Sequence, residues 1–249
     1  VHEVIKIKRT GHYGRRLKKQ TYMARTSRAS SIAAGLKNVR LRNGQRDYVD
    51  TILKNDITFC YGPAGTSKTF TACFTALQML QDKQIKEIIL CKPIQEAGEK
   101  LGHLPGGIED KVDPYMKSYK SNLVKIIGHE LTETLFEKKV IRFEPLAYMR
   151  GDTYDDALMV LDEAQNANFK QLMLFVTRMG SKSKVVVTGD VSQADIQASQ
   201  VSLPDFINLI GDVNGVGTHV FTEKDIVRAK ILQEVVVRYD KWKIKNNIK

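Results

Sequence analysis

Ile57-Thr58-Phe59-Cys60-Tyr61-Gly62-Pro63-Ala64-Gly65-Thr66-Ser67-Lys68-Thr69 decides how this chain folds. Ile57 to Tyr61 is a short apolar, β-branched run bounded by Asp56 and Gly62, the pattern of a buried strand. From Lys68 to Gln81, Phe70, Cys73, Phe74, Leu77 and Leu80 recur at helical spacing. Strand, glycine-rich turn and helix form a first βα unit. Phosphate oxygens crowd negative charge together, so a loop that holds them needs inward N–H groups and little side-chain bulk; in the candidate loop Gly62, Pro63, Ala64, Gly65, Thr66 and Ser67, the two glycines supply that freedom. The helix adds the positive end of its dipole at Lys68. Lys68 can reach the β and γ phosphates of a triphosphate, and the Thr69 hydroxyl can ligate Mg2+. Ser67 stands where the usual GxxxxGK[ST] pattern has a second glycine, and is expected to keep a helical backbone there.

Outward from this unit the alternation continues. Strands are expected at Glu87 to Cys91, Val140 to Phe143, Leu158 to Asp162, Lys184 to Thr188 and Thr218 to Phe221, with a helix from Asn168 to Met179. Another helix is expected to start at Asp113-Pro114, where Asp can cap and Pro suits the first position. Thr222-x-x-Asp225 reads as a capping box opening a helix toward Trp242, and Asp155-Asp156 reads as a helix start. Repeated βα units with near-continuous apolar strands imply an α/β fold, a mainly parallel sheet with helices on both faces.

Two further strands end in candidate functional residues. Leu158 to Leu161 runs into Asp162 and Glu163. A magnesium ion on phosphates needs a carboxylate at the sheet edge, which suits Asp162. Glu163 can accept the proton of an attacking water; the plainer alternative is a surface acid pair after a core strand. Val185 to Thr188 leads to Gly189, Asp190 and Gln193, at the carboxyl edge where parallel sheets bind ligands. Gln193 could sense a γ phosphate or orient water.

The 249 residues carry a net charge of +11. Residues 1–42 hold twelve Lys or Arg against one acid, Glu3, so this arm accounts for the whole excess and the rest is balanced. The reading is therefore two parts, a basic arm (1–42) and one α/β domain (43–249). With few large aliphatics, the arm is expected to be extended or disordered unless a partner orders it. It could grip single-stranded nucleic acid, with Tyr13 or Tyr22 stacking on bases, or be a solvated tail. Cys60, Cys73 and Cys91 lack metal-ligand spacing and read as buried thiols of a cytoplasmic protein. No apolar run is long enough to span a membrane, and the first forty residues lack the apolar core of a signal peptide.

The motifs together resemble the PhoH-like ATPases, single-domain relatives of superfamily 1 helicases. Besides GPAGTSKT they include EAGEKLGHLPG (96–106), PLAYMRG (145–151), LDEAQN (161–166), TRMG (177–180), VTGDVSQ (187–193) and DIVRA (225–229), within about residues 43–240. The resemblance implies a RecA-like P-loop fold and hydrolysis of ATP with Mg2+, on RNA or other single-stranded nucleic acid. It matches Lys68, Thr69, Asp162 and Glu163 to the nucleotide machinery, and Gln193 to the γ-phosphate motif. Gln45 resembles the glutamine with which helicases read adenine; a solvated helix residue is the alternative. Lys92 departs from the family, where arginine is more usual. Helicases place ATP between two RecA-like domains, so a single domain implies a homo-oligomer, by analogy a hexameric ring, with Arg228 or Arg178 as arginine finger. A nucleic-acid-binding ring switched by ATP with little turnover is the competing expectation.

Overall fold

A computed structural model describes residues 31–93, 108–190 and 203–227, with 231, 234, 235, 238, 239, 242, 245 and 246. Its centre is a six-stranded sheet in the order β3-β2-β4-β5-β1-β6, every neighbouring pair parallel. The strands are β1 (Ile57–Tyr61), β2 (Glu87–Cys91), β3 (Ile141–Phe143), β4 (Ala157–Leu161), β5 (Lys184–Gly189) and β6 (Val216–Val220). The helices are α1 (31–38), α2 (Asn43–Lys54), α3 (Lys68–Gln81), α4 (Ile108–Ile127), α5 (His129–Glu137), α6 (Phe169–Val176) and α7 (Leu203–Ile210).

Strand side chains alternate between the two faces. Cys60, Ile88, Leu90, Leu158, Val160 and Val186 join the core with α2 to α5. Phe59, Ile89, Met159, Leu161, Val185 and Val187 join the opposite core with α6 and α7. Both faces are thus covered, as the α/β reading requires. The chain leaves β1 through α3 for β2, passing over β4 and β5, so the loop after β1 opens at a reversal of strand order, where α/β sheets hold ligands.

Several local expectations need correction. Residues 31–38, counted with the arm, are helical; Ile32 is buried, and Leu36 and Val39 pack on the same core. The four-residue spacing of Ile32 and Leu36 puts them on one helix face, with Val39 just past the helix end, a pattern that the basic composition hides. The helix expected at Asp113-Pro114 begins at Ile108, placing Pro114 inside it instead of at its first position. The helix expected from Asn168 to Met179 runs Phe169–Val176, with Asn168 as its cap, Oδ1 accepting from Gln171 N at 3.0 Å. Thr222 and Asp225 cap a 3-10 turn, Glu223–Asp225, because Ile226 is extended, while the expected helix toward Trp242 is present at 231, 234, 235, 238, 239 and 242. Asp155-Asp156 starts no helix: Asp156 has a φ of 51° on the way into β4 and pairs with Lys86 at 2.6 Å. Among the described residues no helix is long and apolar enough to cross a membrane.

The α2–β6 junction carries a titratable group. His219 stacks on Tyr48 at 5.3 Å between centroids and meets the edge of Phe221 at 4.5 Å. Burial lowers its pKa, against smaller opposing pulls from Asp47 and Asp225. The folded state therefore favours neutral imidazole, while the unfolded chain takes up a proton near the ordinary value of 6.5. Stability from this site is complete above that pH and is lost as pH falls through the lowered folded pKa. Thermal melts of His219→Phe should show a flatter dependence than the parent below pH 6.5; parallel profiles would exclude this site from the acid response.

Candidate nucleotide site

All the strands point their carboxyl ends to one edge, and register decides which side chains meet there. β4 and β5 pair with Leu161 opposite Val187, which sets Asp162 beside Thr188. Residues 158, 160 and 162 share the face that carries α3, so the Asp162 carboxylate points toward that helix's first turn. Thr69 Oγ1 donates to Asp162 Oδ2 at 2.9 Å, and Thr188 Oγ1 to Asp162 Oδ1 at 2.6 Å. Two segments 93 residues apart thereby form one site.

The loop from Gly62 to Ser67 is held tightly. Gly62 has a φ of 147°, and a Cβ there would run into the Phe221 carbonyl. Gly65 has a φ of 86°, and its carbonyl accepts from Val227 N at 2.8 Å. Thr66 Oγ1 donates to Pro63 O at 3.0 Å, and Lys68 Nζ donates to Gly62 O at 2.6 Å and Pro63 O at 3.0 Å. Ala64, Gly65, Lys68, Thr69, Asp162 and Glu163 are among the lining of a cleft of about 290 Å³. A hydroxyl and a carboxylate in contact are the hard oxygen donors that magnesium takes alongside phosphate and water, so Thr69 and Asp162 fit that ion.

Ser67 overturns the helical expectation. Its φ of 66° and ψ of 32° are left-handed, because the chain must reverse sharply into α3. This conformation costs a non-glycine residue roughly 1–2 kcal/mol, and glycine's greater freedom in the unfolded chain offsets about 0.5–1 kcal/mol of the gain on replacing it. Ser67→Gly should accordingly be neutral to about 1 kcal/mol stabilising in denaturant titrations, and Ser67→Val clearly destabilising. A Val variant as stable as the parent would contradict the left-handed turn.

Glu163 also lies in the left-handed region, with φ 56° and ψ 37°, at the turn out of β4. Its exposed carboxylate accepts from Gln165 Nε2 at 2.8 Å, while Gln165 Oε1 accepts from Asp190 N at 2.9 Å. Gln165 is buried and ties the ends of β4 and β5 together. Gly189 leaves it room, since a Cβ there would lie 3.0 Å from Gln165 Oε1. Asp190 is buried at the cleft wall.

Lys92 lies 3.5 Å from Asp162 Oδ2, with side chains only 12% and 5% exposed. Its ammonium also sits 5.5 Å from the Tyr119 ring centre, and Tyr119 Oη bonds the carbonyls of Cys91 and Val160. Where the family resemblance leads one to look for a two-pronged arginine, this chain has a single ion pair. Gln165, Lys92 and Asn122, which also lines the cleft, were not among the expected site residues. LDEAQN contains the first, but nothing in spacing alone links the other two to Asp162.

Gln45 is buried, which excludes the solvated reading; its Oε1 accepts from Arg42 N at 2.9 Å. It borders a second cleft of about 360 Å³ that reaches Phe221, the residue against Gly62. Arg178 stands at the other edge of the sheet: its carbonyl accepts from Tyr154 N, ahead of β4, and its guanidinium donates to Asp152 O at 3.1 Å. Gln193, Arg228, Tyr13, Tyr22 and the 96–106 loop lie outside the described residues. Cys60, Cys73 and Cys91 are buried free thiols.

A family model described as PhoH-like protein matches residues 39–240. The PhoH-like protein of Bacillus subtilis (strain 168) is 42% identical over 207 residues, covering 82% of this chain and 65% of the relative. That of Mycobacterium tuberculosis (strain ATCC 25618 / H37Rv) is 44% identical over 199 residues, covering 80% and 56%. Protein PhoH of Escherichia coli (strain K12) is 33% identical over 220 residues, covering 87% and 61%. The chain thus spans less than two thirds of the length of these relatives. The Pif1 helicase from Candida albicans aligns over 74% of this chain and 40% of its own, with a TM-score of 0.38 and 13% identity.

Proposed function

Because the chain belongs to the PhoH-like family, whose members are P-loop NTPases related to helicase domains, we propose that it hydrolyses ATP and works as an oligomer on single-stranded nucleic acid, RNA foremost. The observation that carries this reading is the 2.9 Å contact between Thr69 and Asp162, which joins a phosphate loop to a carboxylate. Backbone N–H groups of residues 62 and 64–69 and the Lys68 ammonium hold the phosphates. Thr69 and Asp162 would hold a magnesium ion, which would supply positive charge to the phosphates. Glu163 accepts a proton from water as the water oxygen bonds to the γ phosphorus; the bond from that phosphorus to the bridging oxygen breaks, and ADP leaves with the electron pair. Gln165 acts through Glu163, fixing its carboxylate from one side while anchored to Asp190 N on the other. The cleft at Gln45 is the candidate seat of the adenine.

Residues 1–30 hold nine Lys or Arg against Glu3, a net of +8, and supply the attraction for a polyanion. Removing only these residues leaves the packed Ile32 helix in place. The decisive measurement is ATP turnover with and without single-stranded RNA or DNA, for the full chain and for the chain lacking 1–30. Stimulation that is lost on truncation and weakens with salt supports the motor reading. Tight ATP binding with negligible turnover favours the switch, and no magnesium-dependent ATP affinity overturns both.

A further inference from the structure

Strand register puts a cation beside the carboxylate that the site offers a metal. β2 and β4 pair with Cys91 opposite Leu161, so the next residues, Lys92 and Asp162, are neighbours at the carboxyl edge. Lys92 Nζ lies 3.5 Å from Asp162 Oδ2. Thr69 Oγ1 donates to that same oxygen at 2.9 Å, while Thr188 Oγ1 donates to Oδ1 at 2.6 Å. A metal ligated by both Thr69 and Asp162 would therefore use Oδ2, the oxygen that faces the ammonium. The lysine is also held in place. Its side chain is 12% exposed, where lysines ordinarily keep their charged heads in water. The buried Tyr119 ring lies 5.5 Å from the charge, and that ring is fixed by hydrogen bonds from its hydroxyl to the carbonyls of Cys91 and Val160.

Like charges at so short a range, in a place with little water, repel strongly. Lys92 also offsets the charge of Asp162, which is the attraction a metal would otherwise feel. Against this the protein offers few ligands of its own. Magnesium takes about six oxygens in a near-octahedral shell, and among the described residues no group of three His, Cys, Asp or Glu side chains is suited to a metal. A triphosphate supplies the missing oxygens together with enough negative charge to outweigh one ammonium.

We propose that Lys92 is a positioning residue for the metal. Its ammonium competes for Asp162 Oδ2, so that this carboxylate takes magnesium together with the triphosphate and not by itself. The inference deepens the nucleotide reading proposed above and rests on it for the identity of the metal's phosphate partner.

The test is binding of Mn2+, used as the probe, to the full chain without nucleotide, followed by the loss of the free-ion electron paramagnetic resonance signal. Lys92→Met and Lys92→Gln should each bind Mn2+ at least about tenfold more tightly than the parent, since one repelling charge is gone. Lys92→Gln keeps a donor toward Oδ2, so it carries the test if Lys92→Met does not fold. Lys92→Arg restores the charge and should restore the parent's weak binding, which a merely structural role for this side chain would not require. Adding Asp162→Asn to Lys92→Gln should abolish the gain. The proposal is overturned if the parent binds Mn2+ as tightly as Lys92→Gln, if Lys92→Arg shows the same gain as Lys92→Gln, or if the gain survives Asp162→Asn. A parent that takes up no Mn2+ even with ATP present would instead sink the nucleotide reading, because the comparison among nucleotide-free chains judges Lys92 alone.

Discussion

Glu163→Gln is expected to lower ATP turnover by about 10²- to 10⁴-fold, the usual contribution of a positioned general base, with magnesium-ATP affinity nearly unchanged. The substitution keeps the side chain's length, the backbone at this left-handed turn and an oxygen that can accept from Gln165 Nε2. It removes only the capacity to take a proton. Affinity resides elsewhere, in the loop and Lys68. Single-turnover hydrolysis beside equilibrium nucleotide binding separates the two quantities. A fall in rate of less than about tenfold would move the base to another residue.

The second large effect is on stability. Asp162 accepts from Thr69 and Thr188 and faces Lys92, all at a nearly closed position. Asp162→Ala leaves the Lys92 ammonium and two hydroxyls without their shared acceptor. Removing one partner of a buried ion pair costs about 3–5 kcal/mol, which at this chain length lowers the melting midpoint by roughly 6 °C or more. Adding Lys92→Met should restore a good part of that loss, because the stranded charge goes with it. If the single variant melts within about 2 °C of the parent, water solvates the cation and the pair is not a structural element. Metal-dependent ATP binding should fall in both variants, since neither regains the carboxylate.

What could be read from residues alone follows the reach of the interactions concerned. β1, α3 and β2 have the bounds expected of them, since Gly62 and the spacing from Phe70 to Leu80 are local signals. The meeting of Asp162 with Thr69 was legible because both close a strand or open a helix at the same sheet edge. Lys92 and Asn122 were not, since their proximity to Asp162 depends on which strands become neighbours, and that order departs from chain order. Ser67 misled for a different reason. Residue type gives a preference for φ, but the geometry of the turn overrode it. Pro114 and the Thr222 box are signals that fit a helix start equally well in sequence, while the backbone uses them inside a helix and for one 3-10 turn. At 31–38 the helical spacing of Ile32 and Leu36 was present but masked by the surrounding charge.

The hydrogen bond from Val227 N to Gly65 O works as a latch between the phosphate loop and the segment that leaves β6. If closing on a phosphate rotates the Gly65 peptide, that latch opens, and the Val227 amide begins to trade its proton for deuterium. One backbone site, outside the cleft and free of any reporter group, can thereby tell whether the loop has changed shape.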